Sequence, residues 1–175
     1  LMLVGEAPGR DEDSKGIPMV GQSGKELDKY LHDVGIYRGD VFVDNVVKCR
    51  PPSDRDPKKE EVAACEEHLL QALHNVQPRV IVAVGAVATR WFLGEGVSLE
   101  QVHGIPYKYE SSSWLVEPAI LLPTYHPAYA LRETKVMALI QDDFKVLAKL
   151  LRGQASVGGV QDEHPHPTYR LLEGT

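Results

Sequence analysis

Cysteine is nearly absent from this 175-residue chain, which carries only Cys49 and Cys65, with fifteen residues between them. Two thiols leave three readings open: inert thiols, a disulfide, or half of a four-cysteine metal site. Spacing alone does not choose among them. Long apolar runs are missing as well. Nothing approaches the roughly 18 consecutive apolar residues of a membrane helix, and no basic segment followed by an apolar one opens the chain. A soluble, cytoplasmic protein is therefore expected, with no membrane partner. There is no excess of positive charge. Lys and Arg number 19 against 25 Asp and Glu, a net charge of -6, which argues against indiscriminate attraction to nucleic acid. The glycine patterns G-x-G-x-x-G and G-x-x-x-x-G-K-[ST] are also missing, which excludes the two common nucleotide-binding loops.

What is present suffices for one globular domain with a real core, 43% of the residues being hydrophobic. Leu1 to Val4 reads as a central strand, and a chain that opens inside one suggests an N-terminal truncation. Residues 22 to 34 place Leu27, Tyr30, Leu31 and Val34 at helical spacing, with Gly35 suited to the left-handed position after a helix. Val41 to Val47 has the β-branched, apolar character of a buried strand. Asp56 followed by Pro57 reads as an N-cap and first helical residue, opening a helix whose stripe is Val62, Cys65, Leu69, Leu73 and Val76. That stripe turns Cys65 inward. Val80 to Val84 and Ala86 to Leu93 form a strand-to-helix unit. Residues 94 to 117 are expected to make an irregular excursion or hairpin, Ala119 to Leu122 the last central strand, and Thr134 to Leu151 a closing amphipathic helix. Together these describe an α/β domain over 1–151. Residues 152–175 change to Gly, Ser, Gln, His and Pro and read as a tail or linker, whose Tyr169 to Leu172 stretch either docks on the domain or begins a further one.

Three strand ends carry chemistry. Gly5-Glu6-Ala7-Pro8-Gly9 follows the first strand, Asn45 closes the Val41–Val47 strand ahead of Lys48-Cys49-Arg50-Pro51-Pro52, and Pro123-Thr124-Tyr125-His126-Pro127 follows the last. In a parallel α/β sheet such loops gather at the carboxyl ends of the strands, where ligands bind, so Glu6, Asn45 and His126 should share one pocket. Beside it, residues 48 to 59 hold five cations (Lys48, Arg50, Arg55, Lys58, Lys59) against two anions (Asp54, Asp56), a local +3. This patch is either a grip on a phosphate backbone or a solvated loop and helix start. The run Arg10-Asp11-Glu12-Asp13 is similarly either functional or a solvated face.

Read in order, GEAPG, the Gly16-Ile17-Pro18-Met19-Val20-Gly21 turn, NVVKCRPP and PTYHPA resemble the uracil-DNA glycosylase superfamily, most closely its iron-sulfur branch, family four. The likeness runs from Leu1 to about Arg152. It implies a three-layer α/β/α sandwich around a mostly parallel sheet and an enzyme of base-excision repair that flips uracil from single- or double-stranded DNA and hydrolyses its N-glycosidic bond. The resemblance further implies a monomer associated with the nucleoid.

By residue, the resemblance assigns Glu6 to water positioning and support of a cationic sugar, and His126 to uracil O2 and the anionic leaving group. It sets Ala7 and Asn45 against the base, Glu12 near C5 to exclude a thymine methyl, and Met19 where the family places a stacking Phe. Leu131 corresponds to the DNA-penetrating wedge, although the family carries leucines at both the Ala130 and Leu131 positions. Arg132 becomes a phosphate contact along with Lys48, Arg50 and Arg55. Cys49 and Cys65 match the second pair of ligands of a structural [4Fe-4S] cluster, the first pair lying upstream of the family's first strand. The alternative is a catalytically weak uracil- or DNA-binding module, a domain of a larger replication protein.

Overall fold

A computed structural model describes residues 1–154. In chain order the elements are β1 (Met2–Gly5), α1 (Arg10–Lys15), α2 (Gln22–Asp33), β2 (Phe42–Asn45), α3 (Lys59–Val76), β3 (Val80–Val84), α4 (Ala86–Leu93), α5 (Leu99–Val102), β4 (Tyr107–Tyr109), β5 (Ala119–Thr124), α6 (Pro127–Ala130) and α7 (Thr134–Leu151). The sheet runs β2-β1-β3-β5-β4. Its first four strands are parallel, and β4 pairs antiparallel with β5.

The period-two alternation of strand side chains divides the core into two layers. Met2, Val4, Ile81, Ala83 and Leu121 face Leu69 and Leu73 of α3 and Trp91 and Phe92 of α4. Leu3, Val80, Val82, Val84 and Leu122 face Leu27 and Leu31 of α2 and Ile140, Phe144 and Leu147 of α7. Helices therefore cover both faces of the sheet, an α/β/α sandwich. No helix of the described residues is long and apolar enough to cross a membrane.

Two expectations need correction. The strand expected to be buried at Val41–Val47 is only partly so: it shortens to Phe42–Asn45 and lies at the sheet edge, paired only with β1 and with Phe42 exposed. Its apolar composition serves contact with one neighbour, and Val46 and Val47 bury themselves in the turn beyond it. Helix α3 starts at Lys59 rather than Pro57, because Glu61 folds back to accept the backbone N–H of Lys58 at 2.8 Å and so caps the helix from within its own first turn. The expected excursion or hairpin at 94–117 is present: it contains α5 and the edge strand β4, which pairs antiparallel with β5. From residue 155 the expected tail, with its Tyr169–Leu172 stretch, lies outside the described residues.

Candidate active site

The chain leaves β1 toward β2 on one side and returns through α3 to β3 on the other, so the strand order reverses at β1. A crevice opens at such a switch point. Here it is a cavity of about 610 Å³, lined from β1 by Glu6 and Ala7, from β2 by Asn45, from β3 by Gly85 and from β5 by His126. The carboxylate, amide and imidazole expected together are together.

Backbone bonds lock these strand ends to one another. Val46 N–H donates to Gly5 O at 2.9 Å and Val47 N–H to Glu6 O at 3.0 Å, carrying the β1–β2 pairing past Asn45 and fixing its position relative to Glu6. Gly85 N–H donates to Thr124 O at 2.8 Å and ties β3 to the strand that carries His126. Two glycines make room. A Cβ on Gly5 would lie 2.6 Å from Asn45 Oδ1 and 2.8 Å from Met19 Cε, and Gly85, at φ +93°, passes so close to His126 that a Cβ would sit 3.3 Å from its Cβ.

Asn45 is 5% exposed, and its amide oxygen has no donor among the described residues. Buried acceptors are nearly always satisfied, so an orphan oxygen in a cavity wall invites a ligand N–H. His126 caps α6: its Nδ1 accepts the Ala128 N–H at 3.2 Å. Burial lowers its pKa from 6.5 to about 4, against the pull of the Glu12 carboxylate. The ring is therefore neutral near pH 7, and with Nδ1 accepting, its proton resides on Nε2 as a donor. Glu6 moves the other way. Burial first and the nearby Asp56 second raise its pKa from 4.5 to about 7, while Arg90 opposes the shift.

Glu12 is not a solvated acid. Its Oε1 accepts the N–H groups of Val20 at 3.0 Å and Gly21 at 2.7 Å, clamping the turn that presents Met19. Met19 is buried, lies at φ +52° and reaches the cavity between Gly5 and Asn45. The position is one that few non-glycine residues adopt, and Glu12 and the close approach of Gly24 to the Met19 carbonyl hold it there.

The basic patch is largely neutralised from within. Lys48 Nζ lies 2.6 Å from Asp44 Oδ1, Arg50 forms a two-pronged pair with Asp54 at 2.6 and 2.7 Å, and Arg55 does the same with Glu61 at 2.6 and 2.8 Å. The pairing draws the Glu61 carboxyl pKa down to about 2. Arg55 still lines the cavity; Lys48 and Arg50 do not. Arg132 lines it, whereas Leu131, 46% exposed, stands outside and Tyr129, 58% exposed, takes a place at the mouth. Arg90 and Asp56 also line the cavity and lie outside the sequence assignment of site residues. The signal for Arg90 was available: it follows β3, a strand whose end had to join the same crevice.

Cys49 is exposed and Cys65 half-buried, and both are free thiols. Cys65 Sγ accepts the Lys48 N–H at 3.4 Å, which places it against the segment carrying Cys49. Among the described residues no three His, Cys, Asp or Glu side chains come together as a metal site.

A switch-point crevice of an α/β/α sandwich, offering a buried amide, a neutral imidazole and a carboxylate, defines a site for a small planar ligand with hydrogen-bonding edges. Residues 1–151 match the family model of the uracil DNA glycosylase superfamily, and the chain belongs to that superfamily. It is 38% identical over 155 residues to a type-4 uracil-DNA glycosylase of Sulfurisphaera tokodaii, covering 86% of this chain and 69% of the relative. To the type-4 uracil-DNA glycosylase of Archaeoglobus fulgidus it is 39% identical over 154 residues, 86% of this chain and 76% of that protein. The protein of that name from Thermotoga maritima is 45% identical over 133 residues, 75% of this chain and 66% of its own length.

Proposed function

We propose that this chain excises uracil from DNA by hydrolysing the N-glycosidic bond, leaving an abasic site. The observation that carries the reading is the orphan amide oxygen of Asn45, facing a cavity that also holds Glu6 and His126. Uracil offers an N3–H donor and an O4 acceptor, which match the oxygen and NH₂ of one asparagine. Cytosine reverses both, and each mismatched buried group costs about 1 to 3 kcal/mol. Reaching the cavity requires the nucleotide to leave the base stack.

When the glycosidic bond breaks, its electron pair leaves with the base and positive charge develops on the sugar. His126 Nε2–H, donating to uracil O2, stabilises the departing anion. Being neutral, His126 need not lose a proton to accept this role, and donors of this kind are worth roughly 3 to 4 kcal/mol. The Glu6 carboxylate supports the sugar cation and orients the water that adds to it. Met19 covers the base face, and the Glu12 clamp keeps it there.

Cys49 and Cys65 fit two thiolate positions of a structural [4Fe-4S] cluster: both lie at the junction of the loop after Asn45 with α3, and the Lys48 N–H already directed at Cys65 Sγ is the hydrogen bond a thiolate ligand favours. A bound cluster would cross-link that loop to the helix. Hydrolysis itself runs through Glu6, Asn45 and His126.

The test is release of free uracil from a labelled oligonucleotide with one uracil, in EDTA, with Glu6→Ala and thymine-bearing DNA as controls. Release by the parent protein alone, and from uracil DNA alone, is expected. Retention of uracil DNA without release would replace the enzyme by a recognition module.

A further inference from the structure

With Lys48, Arg50 and Arg55 each held by a carboxylate, three of the four cations expected to grip DNA are engaged within the protein, leaving Arg132. Arg90 is not so held. It lies on α4, one turn beyond the Gly85, Ala86 and Val87 segment that lines the cavity, and its own side chain lines the same cavity. Its guanidinium makes no hydrogen bond or ion pair within the described residues, yet it is near enough to Glu6 to oppose the effect of burial on that carboxyl. On the uracil-excision reading Glu6 faces the sugar, and because a sugar and its own phosphate are covalently joined, a partly exposed guanidinium beside that carboxylate is a candidate partner for the phosphate.

We propose that Arg90 is a substrate-contact residue that binds a phosphate of the flipped nucleotide at the cavity mouth. The inference rests on the uracil-excision reading and extends it. Arg suits the role because its fork matches two phosphate oxygens at once.

Binding is measured with an oligonucleotide carrying 2′-fluoro-2′-deoxyuridine, whose fluorine disfavours the sugar cation and so blocks turnover, across a series of salt concentrations. One lost phosphate contact reduces the slope of log K against log salt by about 0.9 on duplex DNA and about 0.7 on single strands. Arg90→Gln is expected to show that reduction with a weaker Kd, and Arg90→Lys, which keeps the charge, to restore most of the slope. A thermal melt of each variant separates loss of contact from loss of fold. If Arg90→Gln melts like the parent and keeps the parent slope, the assignment is overturned while uracil excision stands. A parent that neither binds the probe nor releases uracil sinks both.

Discussion

Two titratable side chains in one cavity shifted in opposite directions is the pattern by which a site holds one group neutral and another near its working pH. The Glu6 pKa of about 7 leaves it roughly half ionised at neutrality. The proposed reaction uses its anion, so kcat/KM should climb as pH rises through about 7 and level off above it. Glu6→Gln should abolish that limb and lower kcat/KM by about 100-fold or more, read from single-turnover uracil release between pH 5.5 and 8.5. A limb near 7 that survives in the variant belongs to another group. His126, with its pKa near 4, contributes no limb in that range. Met19 carries the other residue-scale expectation. It occupies a buried, positive-φ turn against Gly5, and a thioether there covers a base less completely than a ring. Met19→Phe should tighten binding of uracil DNA severalfold, in keeping with about 1 kcal/mol of stacking; fluorescence titration showing unchanged or weaker binding refutes it.

Among the elements, β5 bears the heaviest functional demand, since the histidine loop follows directly from it. Its end is braced by a buried polar cluster. Thr124 Oγ1 donates to Asp143 Oδ2 of α7 at 2.6 Å, His103 Nδ1 lies 3.0 Å from Asp143 Oδ1, and the His103 ring packs on Tyr125 with centroids 4.9 Å apart. Burial raises the Asp143 pKa, while the bonds from Thr124 and His103 pull it back. Asp143→Asn removes the charge that His103 faces inside the protein and should lower unfolding free energy by about 1 to 3 kcal/mol in urea denaturation. No measurable change would mean that the cluster is idle. Elements of continuous apolar sequence were the legible ones. β3, α4 and α7 run between the residues expected, because a strand buried on both faces and an amphipathic helix write their burial into local pattern. The edge position of β2 was not legible, since strand order is set by crossovers rather than by any strand's own residues. Nor was the start of α3, where a folded-back Glu61 outweighed an Asp-Pro signal.

For the whole molecule, the net charge of -6 makes the placement of a few cations decisive for binding a polyanion. Counting charges along residues 48 to 59 gave a basic patch. The folded chain closes most of it with Asp44, Asp54 and Glu61, two of the three lying within the patch or just beyond it in sequence, at spacings that a linear count does not reveal as contacts. Arg50→Gln should therefore leave the salt dependence of DNA binding nearly unchanged, whereas Arg132→Gln should reduce its slope by about 0.7 to 0.9. Equal slopes for the two variants would return the patch to the DNA interface. The sequence by itself determined the α/β class, the superfamily, and the three strand-end residues Glu6, Asn45 and His126, because chemistry at strand ends depends on short motifs and a parallel sheet gathers those ends on one side. Only the tertiary structure decided which cations are engaged by carboxylates, that Glu12 clamps the Met19 turn, that the Glu6 and His126 pKa values part in opposite directions, and that Arg90 joins them. Each of those depends on distances between residues far apart in the chain, and electrostatics in a desolvated cavity is fixed by distance and burial, neither of which a sequence contains.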